Sequence, residues 1–194
     1  MLAAAAARLN RDAGRPPIPS LYFFTDPERV PDPVAAVRRL PRGAAIVYRH
    51  FGAPERKRIA RQLAELCQAR GLTLLVGADP GLAEDCGADG VHWPERLAPK
   101  QRGSHFRLVT GAAHNARALR HAERAQLDAC VLSPVFPTRS ASARAPLGLF
   151  GASWLARRCA VPVIALGGVN ARNAHRLIGR GFAGLAAVEA LIGD

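Results

Sequence analysis

Eight short apolar runs, rich in β-forming residues, alternate along the chain with amphipathic or Ala/Arg-rich segments. The runs cover residues 21–25, 45–48, 72–76, 90–93, 106–110, 129–132, 161–166 and 183–188. They show little strict alternation of apolar and polar residues, which is typical of strands buried on both faces of a parallel sheet. Repeated strand–helix units predict an α/β fold, either doubly wound or a (β/α)8 barrel, and eight closely spaced strands favour the barrel.

The segments between these runs are predicted to be helical. They cover residues 32–40, 53–69, 80–86, 115–125, 149–158 and 170–179. Gly71 follows the second segment as a stop signal, and Asn170 is a candidate N-cap for the last. Because 194 residues is slightly below the usual length of such a barrel, some outer helices must be short. The connection 94–105 contains two prolines and a glycine and is predicted to lack a full helix.

One domain is expected, with residues 1–20 as an N-terminal helix or arm and residues 21–194 as the barrel. No apolar run approaches the roughly 18 residues that span a bilayer, and the Ala-rich start lacks the basic region of a secretory signal. The four cysteines form no C-x-x-C pair, so we interpret them as reduced, mostly buried thiols. A cytoplasmic protein without a membrane partner is therefore expected, and a homo-oligomer is compatible with the sequence.

The strongly basic composition favours anionic ligands. Lys and Arg number 27 against 15 acidic residues, a formal net charge of +12, and only Lys57 and Lys100 are lysines. The arginines are scattered at helical spacing rather than gathered in a stripe or arm, which is typical of solvated helix faces. A small anionic molecule is thus the expected partner, whereas nucleic acid is not. RNA binding would show a steep loss of affinity with salt.

Two segments that follow predicted strands could bind a phosphate. Gly167 and Gly168 follow the seventh strand, where a barrel commonly holds phosphate through backbone N–H groups. A plain tight turn is the alternative for this pair. Residues 133–140 form a long loop after the sixth strand, with two prolines and hydroxyls beside Arg139, and could close over an anionic ligand. An ordinary surface loop is the alternative there.

Four groups of motifs resemble the thiamine phosphate synthase/TenI family in order and spacing. They are LYFFTD at 21–26, GADGVH at 87–92, SPVFPT at 133–138 with PLG at 146–148, and ALGGV at 165–169 with Gly184. The resemblance covers roughly residues 18–192 and implies a (β/α)8 barrel in thiamine metabolism. Synthases of this family join a pyrimidine pyrophosphate to a thiazole phosphate and release pyrophosphate with the help of Mg²⁺.

The resemblance implies a phosphate site that this chain retains in part. Its candidate phosphate-binding residues are Gly167, Gly168, Thr138, Ser140 and Val188. Glu189 stands at the family's serine position, where a carboxylate repels phosphate unless it points away or pairs with an arginine such as Arg139.

The pyrophosphate and metal site of the family is not matched. Arg49 is kept, and Arg49 and Arg139 are the candidate anion-binding cations. The residues that stand at other polar positions of the family are Val47, Phe51, Ala78, Leu97, Ala112 and Ala141. Mg²⁺ requires hard oxygen ligands, which Ala78 and Leu97 lack. No metal ligand is therefore assigned, and Mg²⁺ is expected only if synthase activity is retained. That would require Asp79 or Glu95 to replace the metal aspartates that the family has near Ala78 and Leu97.

Relatives that tautomerise the thiazole phosphate use an acid/base group instead of a metal, and Pro134 occupies the position of their histidine. His114 and His92 are the candidate catalytic residues for proton transfer, and His50 is a third candidate. A structural histidine bonded to backbone is the alternative for each.

The sequence thus predicts a divergent family member that binds a thiazole phosphate or a similar phosphorylated heterocycle without the usual Mg²⁺–pyrophosphate site. Two alternatives stay open. The first is an active thiamine phosphate synthase that uses substitute residues. The second is a non-catalytic ligand-binding or regulatory protein.

Overall fold

The structure, a computed structural model, describes residues 1–14, 18–103, 105–138, 145–189 and 191. Its strands are β1 Leu21–Phe24, β2 Ala45–Tyr48, β3 Thr73–Gly77, β4 Gly90–Trp93, β5 Leu108–Ala113, β6 Ala129–Leu132, β7 Val163–Ala165 and β8 Phe182–Ala187. All pair in parallel in chain order, and β1 pairs with β8 to close the barrel. The predicted (β/α)8 barrel is confirmed.

The fifth strand lies further along the chain than the predicted run 106–110. It continues through Gly111 and Ala112 to Ala113, and these small residues pair with β6. Their low intrinsic preference for strands hid them from sequence analysis, whereas the neighbouring strand supplies their hydrogen-bonding partners. Thr110 consequently lies inside the barrel wall and not in the loop after it.

The helices are α1 Leu2–Asp12, α2 Pro33–Val37, α3 Arg56–Arg70, α4 Pro80–Cys86, α5 Ala116–Arg124 and α6 Gly148–Arg158. Some of them are short, as expected: α2 has five residues and α4 has seven. The side chains of Asp32, Asp79 and Asn115 accept backbone N–H bonds at the starts of α2, α4 and α5. Gly71 ends α3 with a left-handed φ of 63°, as predicted. Among the described residues of the 94–105 connection, a 3-10 turn at Glu95–Leu97 is the only helical element.

The predicted helix 170–179 is wrong. The described chain forms only a 3-10 turn, Ala174–Leu177, between β7 and β8. Asn170 does not cap a helix: its side chain accepts from the N–H of Arg172 and donates to the carbonyl of Gly168. Side chains of this type compete with helical hydrogen bonds by offering local alternatives.

The strands separate two layers of core. Alternate side chains point into the barrel, where Tyr22, Phe24 and Val47 belong to one cluster. The others, such as Phe23 and Ile46, pack in the larger layer between sheet and helices. Both layers are apolar, which explains why the strand sequences do not alternate in polarity.

Helix α1 packs against β8 and buries Leu2, Ala6 and Leu9 in the outer layer. Its contacts thus tie the N-terminal residues to the last strand of the barrel. No described helix is long and apolar enough to cross a membrane.

Candidate active site

A cavity of about 790 Å³ opens at the carboxyl ends of the strands, the end of a (β/α)8 barrel at which active sites form. Its floor is formed by strand residues, and its rim by the loops that follow them. Of the predicted site residues, the structure brings seven to this cavity: Arg49, His92, His114, Thr138, Gly167, Gly168 and Val188. Arg139 and Ser140 lie outside the described residues.

Gly167 and Gly168 form one end of the cavity. Both have positive φ, 92° and 66°, and a Cβ on Gly168 would lie 2.3 Å from the carbonyl oxygen of Pro137. The loop after β6 is hydrogen-bonded to this segment: the N–H of Phe136 donates to the Gly167 carbonyl oxygen at 3.0 Å. No described residue accepts a hydrogen bond from the N–H of either glycine. Only glycine fits this conformation and spacing, and the two amide groups are available to a ligand.

Two asparagines fix the glycine loop from the other side. The side-chain amides of Asn170 and Asn173 donate to the Gly168 carbonyl at 3.2 and 2.8 Å. Both carbonyls of the glycine pair are therefore bonded within the protein, which leaves the loop rigid and its amide groups oriented. No sequence pattern indicated this role of Asn173.

Glu189 is 60% exposed at its side chain and lies 3.6 Å from the guanidinium of Arg29. Sequence analysis gave an arginine such as Arg139 as a partner for this carboxylate. Arg139 lies outside the described residues, and Arg29 is the partner that the described residues supply. Arg29 and Glu189 both line the cavity. Their loops meet because β1 and β8 are neighbours in the closed barrel. The carboxylate is thus balanced by a cation beside the glycine end.

His92 is buried in the barrel wall. Its Nδ1 lies 2.8 Å from the Thr110 hydroxyl, and its ring meets the Phe24 ring edge-on with centroids 5.1 Å apart. Burial, and secondarily the positive charge of Arg49, lower the pKa of His92 to about 3. The ring is neutral at physiological pH, so His92 can hydrogen-bond a ligand but is not charged there.

His114 lines the cavity at the end of β5. Its Nδ1 lies 2.7 Å from the carbonyl oxygen of Ser133, so this nitrogen carries the proton and donates it. Its backbone N–H donates to Glu95 at 3.0 Å. The lone pair of the ring is then on Nε2, and a histidine held in one tautomer and orientation suits proton transfer.

Arg49 is fixed on the cavity wall. Its Nε donates to the Thr25 carbonyl, a terminal nitrogen lies 4.0 Å from Asp26, and the guanidinium lies 5.1 Å from the Phe24 ring centroid. Burial, partly offset by Asp26, lowers its pKa from the ordinary value. His50 beside it is buried but does not line the cavity, and its Nε2 has no partner in the described part of the chain.

Asp79 and Glu95, the candidate replacements for the metal ligands of the family, are both hydrogen-bonded within the protein. The Asp79 carboxylate accepts two hydrogen bonds: one from the backbone at the start of α4, which it caps, and one from the Arg56 side chain at 2.6 Å. Both carboxylate oxygens of Glu95 accept bonds, from the His114 backbone and the Asn115 side chain. No three His, Cys, Asp or Glu side chains of the described residues are grouped closely enough to hold a metal ion.

Arg29 and Phe51 are among the cavity-lining residues that sequence analysis did not name as candidates. Arg29 follows the Thr25-Asp26 motif after β1, so its place in a loop at the active end of the barrel was the available signal. Phe51 was named only as the residue at a position that is polar in the family. Its ring is half exposed at the cavity mouth.

The model of the family described as thiamine monophosphate synthase matches residues 21–191. The chain is similar to the thiamine-phosphate synthase of Methylococcus capsulatus, with 34% identity over 91% of this chain and 84% of that protein. It is also similar to the thiamine-phosphate synthase of Chlorobium luteolum, with 33% identity over 91% and 86% of the two chains. A solved thiamine phosphate pyrophosphorylase from Pyrococcus furiosus superposes with a TM-score of 0.79 at 27% identity, covering 91% of this chain and 88% of that one.

Proposed function

The chain belongs to the thiamine monophosphate synthase family, and from this premise we propose that its cavity binds a thiazole phosphate or a similar phosphorylated heterocycle. The observation that carries the proposal is the glycine loop after β7. It presents two adjacent amide groups without a described acceptor, in a backbone that leaves no room for a side chain. Such amides bind phosphate at this place in many barrels.

The rest of the cavity suits the heterocycle. Its floor contains the small or apolar side chains of Ala112, Val131 and Leu166, which exclude water from a bound ring. His114 stands beside this floor with Nε2 as its basic atom, so it is the residue we assign to accept or return a proton on the ligand. Thr138 and Val188 line the phosphate end.

The Mg²⁺ that the family implies does not fit the residues present. Mg²⁺ takes oxygen ligands in octahedral geometry, usually including one or two carboxylates. The carboxylates of Asp26 and Glu189 lie beside arginines, and that of Glu95 accepts two hydrogen bonds. We therefore derive no step through the metal.

Synthesis of thiamine phosphate is the second candidate. It is favoured by the relatives named thiamine-phosphate synthase, which align with nine-tenths of this chain. A non-catalytic binding protein is the third candidate. For such a protein, replacement of His114 should change no reaction rate. In each case the expected partner is a small phosphorylated molecule, and we place the protein in the cytoplasm.

Binding of thiazole phosphate, measured by isothermal titration calorimetry, tests the proposal. The wild-type protein should bind it, and Gly168→Ala should weaken binding by at least about tenfold, since the loop must move away from Pro137. Gly43→Ala is the matched control: Gly43 also has positive φ, but a Cβ there meets nothing within 4 Å. Absence of binding to wild type, or equal losses in both variants, would contradict the proposal.

A turnover assay separates the candidates. Purified protein is mixed with the pyrimidine pyrophosphate, the thiazole phosphate and Mg²⁺, with an Ala78→Asp variant and a no-enzyme blank alongside. We expect no thiamine phosphate above the blank from the wild-type protein. Formation well above the blank would establish the synthase and overturn the metal-free interpretation.

A further inference from the structure

Helix α6 carries two exposed aromatic side chains one turn apart, on the face opposite to its buried residues. Phe150 is 80% exposed and Trp154 is 57% exposed, whereas Leu149, Ala152 and Ala156 are buried against the barrel. Residues four positions apart lie on the same face of a helix. Outer helix faces are usually polar, so two large exposed rings side by side mark a surface that can bind a partner.

An arginine lies over each of these rings. The Arg158 guanidinium is 4.5 Å from the centroid of the Trp154 ring, and the Arg180 guanidinium is 5.4 Å from that of Phe150. The Nε of Arg180 also donates to the Arg176 carbonyl oxygen at 2.9 Å, which holds this side chain beside the helix. We call the four side chains Phe150, Trp154, Arg158 and Arg180 the α6 surface.

The positive charges around the α6 surface are not balanced by carboxylates. Among the residues that the structure describes, five arginines of α6 and of the connection after β7 take part in no ion pair: Arg157, Arg158, Arg172, Arg176 and Arg180. The carboxylate of Glu123 reaches the end of α6, but it accepts a hydrogen bond from the backbone N–H of Ala160 at 2.7 Å. The α6 surface therefore attracts a negatively charged partner.

We propose that the α6 surface binds an acidic segment of a partner protein. An apolar side chain of that segment lies against Phe150 and Trp154, and its carboxylates bind Arg158 and Arg180. Guanidinium groups bind carboxylates through paired hydrogen bonds, and Trp and Arg often dominate the binding energy of protein interfaces. The α6 surface lies outside the cavity, so the inference goes beyond the proposed function and does not rest on it.

Three other occupants fit this surface less well. A second copy of the chain, related by a two-fold axis, would bring arginines of the two copies together, and like charges repel. Nucleic-acid bases stack on open aromatic faces, whereas a guanidinium already lies over each ring here. A helix that enters a lipid surface presents a broad apolar face, but α6 turns Leu149, Ala152 and Ala156 towards the barrel.

Three short peptides labelled with a fluorophore test the inference by fluorescence anisotropy on the full chain. The probe repeats Glu-Glu-Leu, and the matched peptides repeat Gln-Gln-Leu and Glu-Glu-Gly, which lack the charge and the apolar side chain respectively. The variants are Trp154→Ala and Arg158→Glu. Their matched controls are Leu97→Ala, which removes a side chain that is also 57% exposed, and Arg120→Glu, which reverses an exposed charge on α5.

We expect wild type to bind the Glu-Glu-Leu peptide at least about fivefold more tightly than either matched peptide. Trp154→Ala and Arg158→Glu should each weaken this binding by at least about fivefold, and Trp154→Ala should also remove the preference for leucine over glycine. The two control variants should stay within about twofold of wild type. Urea denaturation midpoints verify that all four variants are folded.

Equal losses in Arg158→Glu and Arg120→Glu would overturn the inference, because the basic chain as a whole would then attract the peptide. Absence of binding to wild type, or equal binding of the Glu-Glu-Leu and Glu-Glu-Gly peptides, would overturn it as well. Oligothymidylate or vesicles of anionic phospholipid are titrated in parallel. If either binds more tightly than the peptide and loses affinity in Trp154→Ala, the surface belongs to nucleic acid or lipid instead. A wild-type dimer that Trp154→Ala dissociates in analytical ultracentrifugation would assign the surface to a second copy.

Discussion

Glu189 and Arg29 form a charge pair beside the phosphate end of the cavity. The two charged atoms are 3.6 Å apart, and the carboxylate is the more exposed partner. A phosphate bound at Gly168 would be repelled by Glu189 and attracted by Arg29. The carboxylate therefore lowers the affinity for phosphate in two ways, by repulsion and by occupying the cation.

Glu189→Ser should accordingly strengthen thiazole phosphate binding, by about two- to fivefold because the pair is largely solvated. The gain should shrink at high salt, since exposed charges are screened. Glu28→Ser, which removes an exposed charge outside the cavity lining, is the control. Calorimetry at low and high salt measures both. An unchanged affinity in Glu189→Ser would mean that the carboxylate does not sense the ligand.

His92 makes stability depend on pH. Its pKa is about 3 in the folded protein, below the ordinary value of 6.5, because burial disfavours the charged form. Above pH 6.5 it is neutral in both states, and its contribution to stability is fully present. As pH falls from 6.5 towards 3, the unfolded chain binds a proton that the folded chain excludes. The free energy of unfolding then decreases by up to about 1.4 kcal/mol per pH unit.

Replacement of the imidazole removes this dependence. Between pH 6.5 and pH 4, the free energy of unfolding of His92→Gln should decrease less than that of wild type, as measured by urea denaturation at each pH. His175→Gln, at an exposed position of the 3-10 turn before β8, should keep the wild-type slope. If the free energy of unfolding fell equally with pH in wild type and in His92→Gln, the acid sensitivity would belong to other groups.

At the scale of elements, α2 and α4 begin alike but differ in one contact. In both, an aspartate caps the helix and a proline takes the first turn. Asp79 additionally accepts a short bond from Arg56 of α3, which joins the starts of two neighbouring helices. Asp79 thus contributes both to the start of α4 and to its contact with α3.

Asp32→Ala should cost about 1 kcal/mol, the usual value of an N-cap. Asp79→Ala should cost roughly 1 kcal/mol more, because a charge-assisted hydrogen bond is lost as well. Denaturant unfolding of both variants gives the two values, and a titration with Mg²⁺ should show no difference between Asp79→Ala and wild type. A loss of Mg²⁺ binding in Asp79→Ala would restore the metal-ligand interpretation.

The connection between β7 and β8 shows a limit of local patterns. Its composition suggested a helix capped by Asn170, whereas the asparagine side chains bind the glycine loop and the chain forms a single 3-10 turn. The Gly168 carbonyl offers these side chains a partner that helical periodicity does not reveal. The element next to the phosphate end is thus shaped by the site, and not by helix propensity.

At the scale of the whole molecule, α1 contributes to the outer apolar layer against the last strand. Leu9 is fully buried and belongs to the larger core cluster, while Arg8 beside it is exposed and lies near Asp12 at 3.8 Å. Helix α1 therefore contributes to the packed core of the barrel and is not merely an exposed arm.

Leu9→Ala should lower the free energy of unfolding by about 2–5 kcal/mol, the usual range for a buried leucine. Arg8→Ala should stay within about 0.5 kcal/mol of wild type, because it removes an exposed ion pair on the same helix. Denaturant midpoints of the two variants compare them directly. A cost below 1 kcal/mol for Leu9→Ala would show that α1 is dispensable to the barrel.

The barrel, most strand positions and the end of the barrel at which the cavity opens were predictable from local sequence patterns. These follow from local rules: apolar runs become buried strands, Gly71 stops a helix, and the loops after parallel strands gather at one end. The glycine pair could also be identified from the sequence, because conformational freedom is a property of glycine itself.

Packing between elements set which charged side chains meet and which side chains line the cavity. Arg29 and Glu189 are 160 positions apart and pair because barrel closure places β1 beside β8. Asp79, a candidate metal ligand by its place in the sequence, is turned to Arg56 and the start of α4. Coulombic and hydrogen-bond energies depend steeply on distance, and these distances are set by packing between elements and not by spacing along the chain.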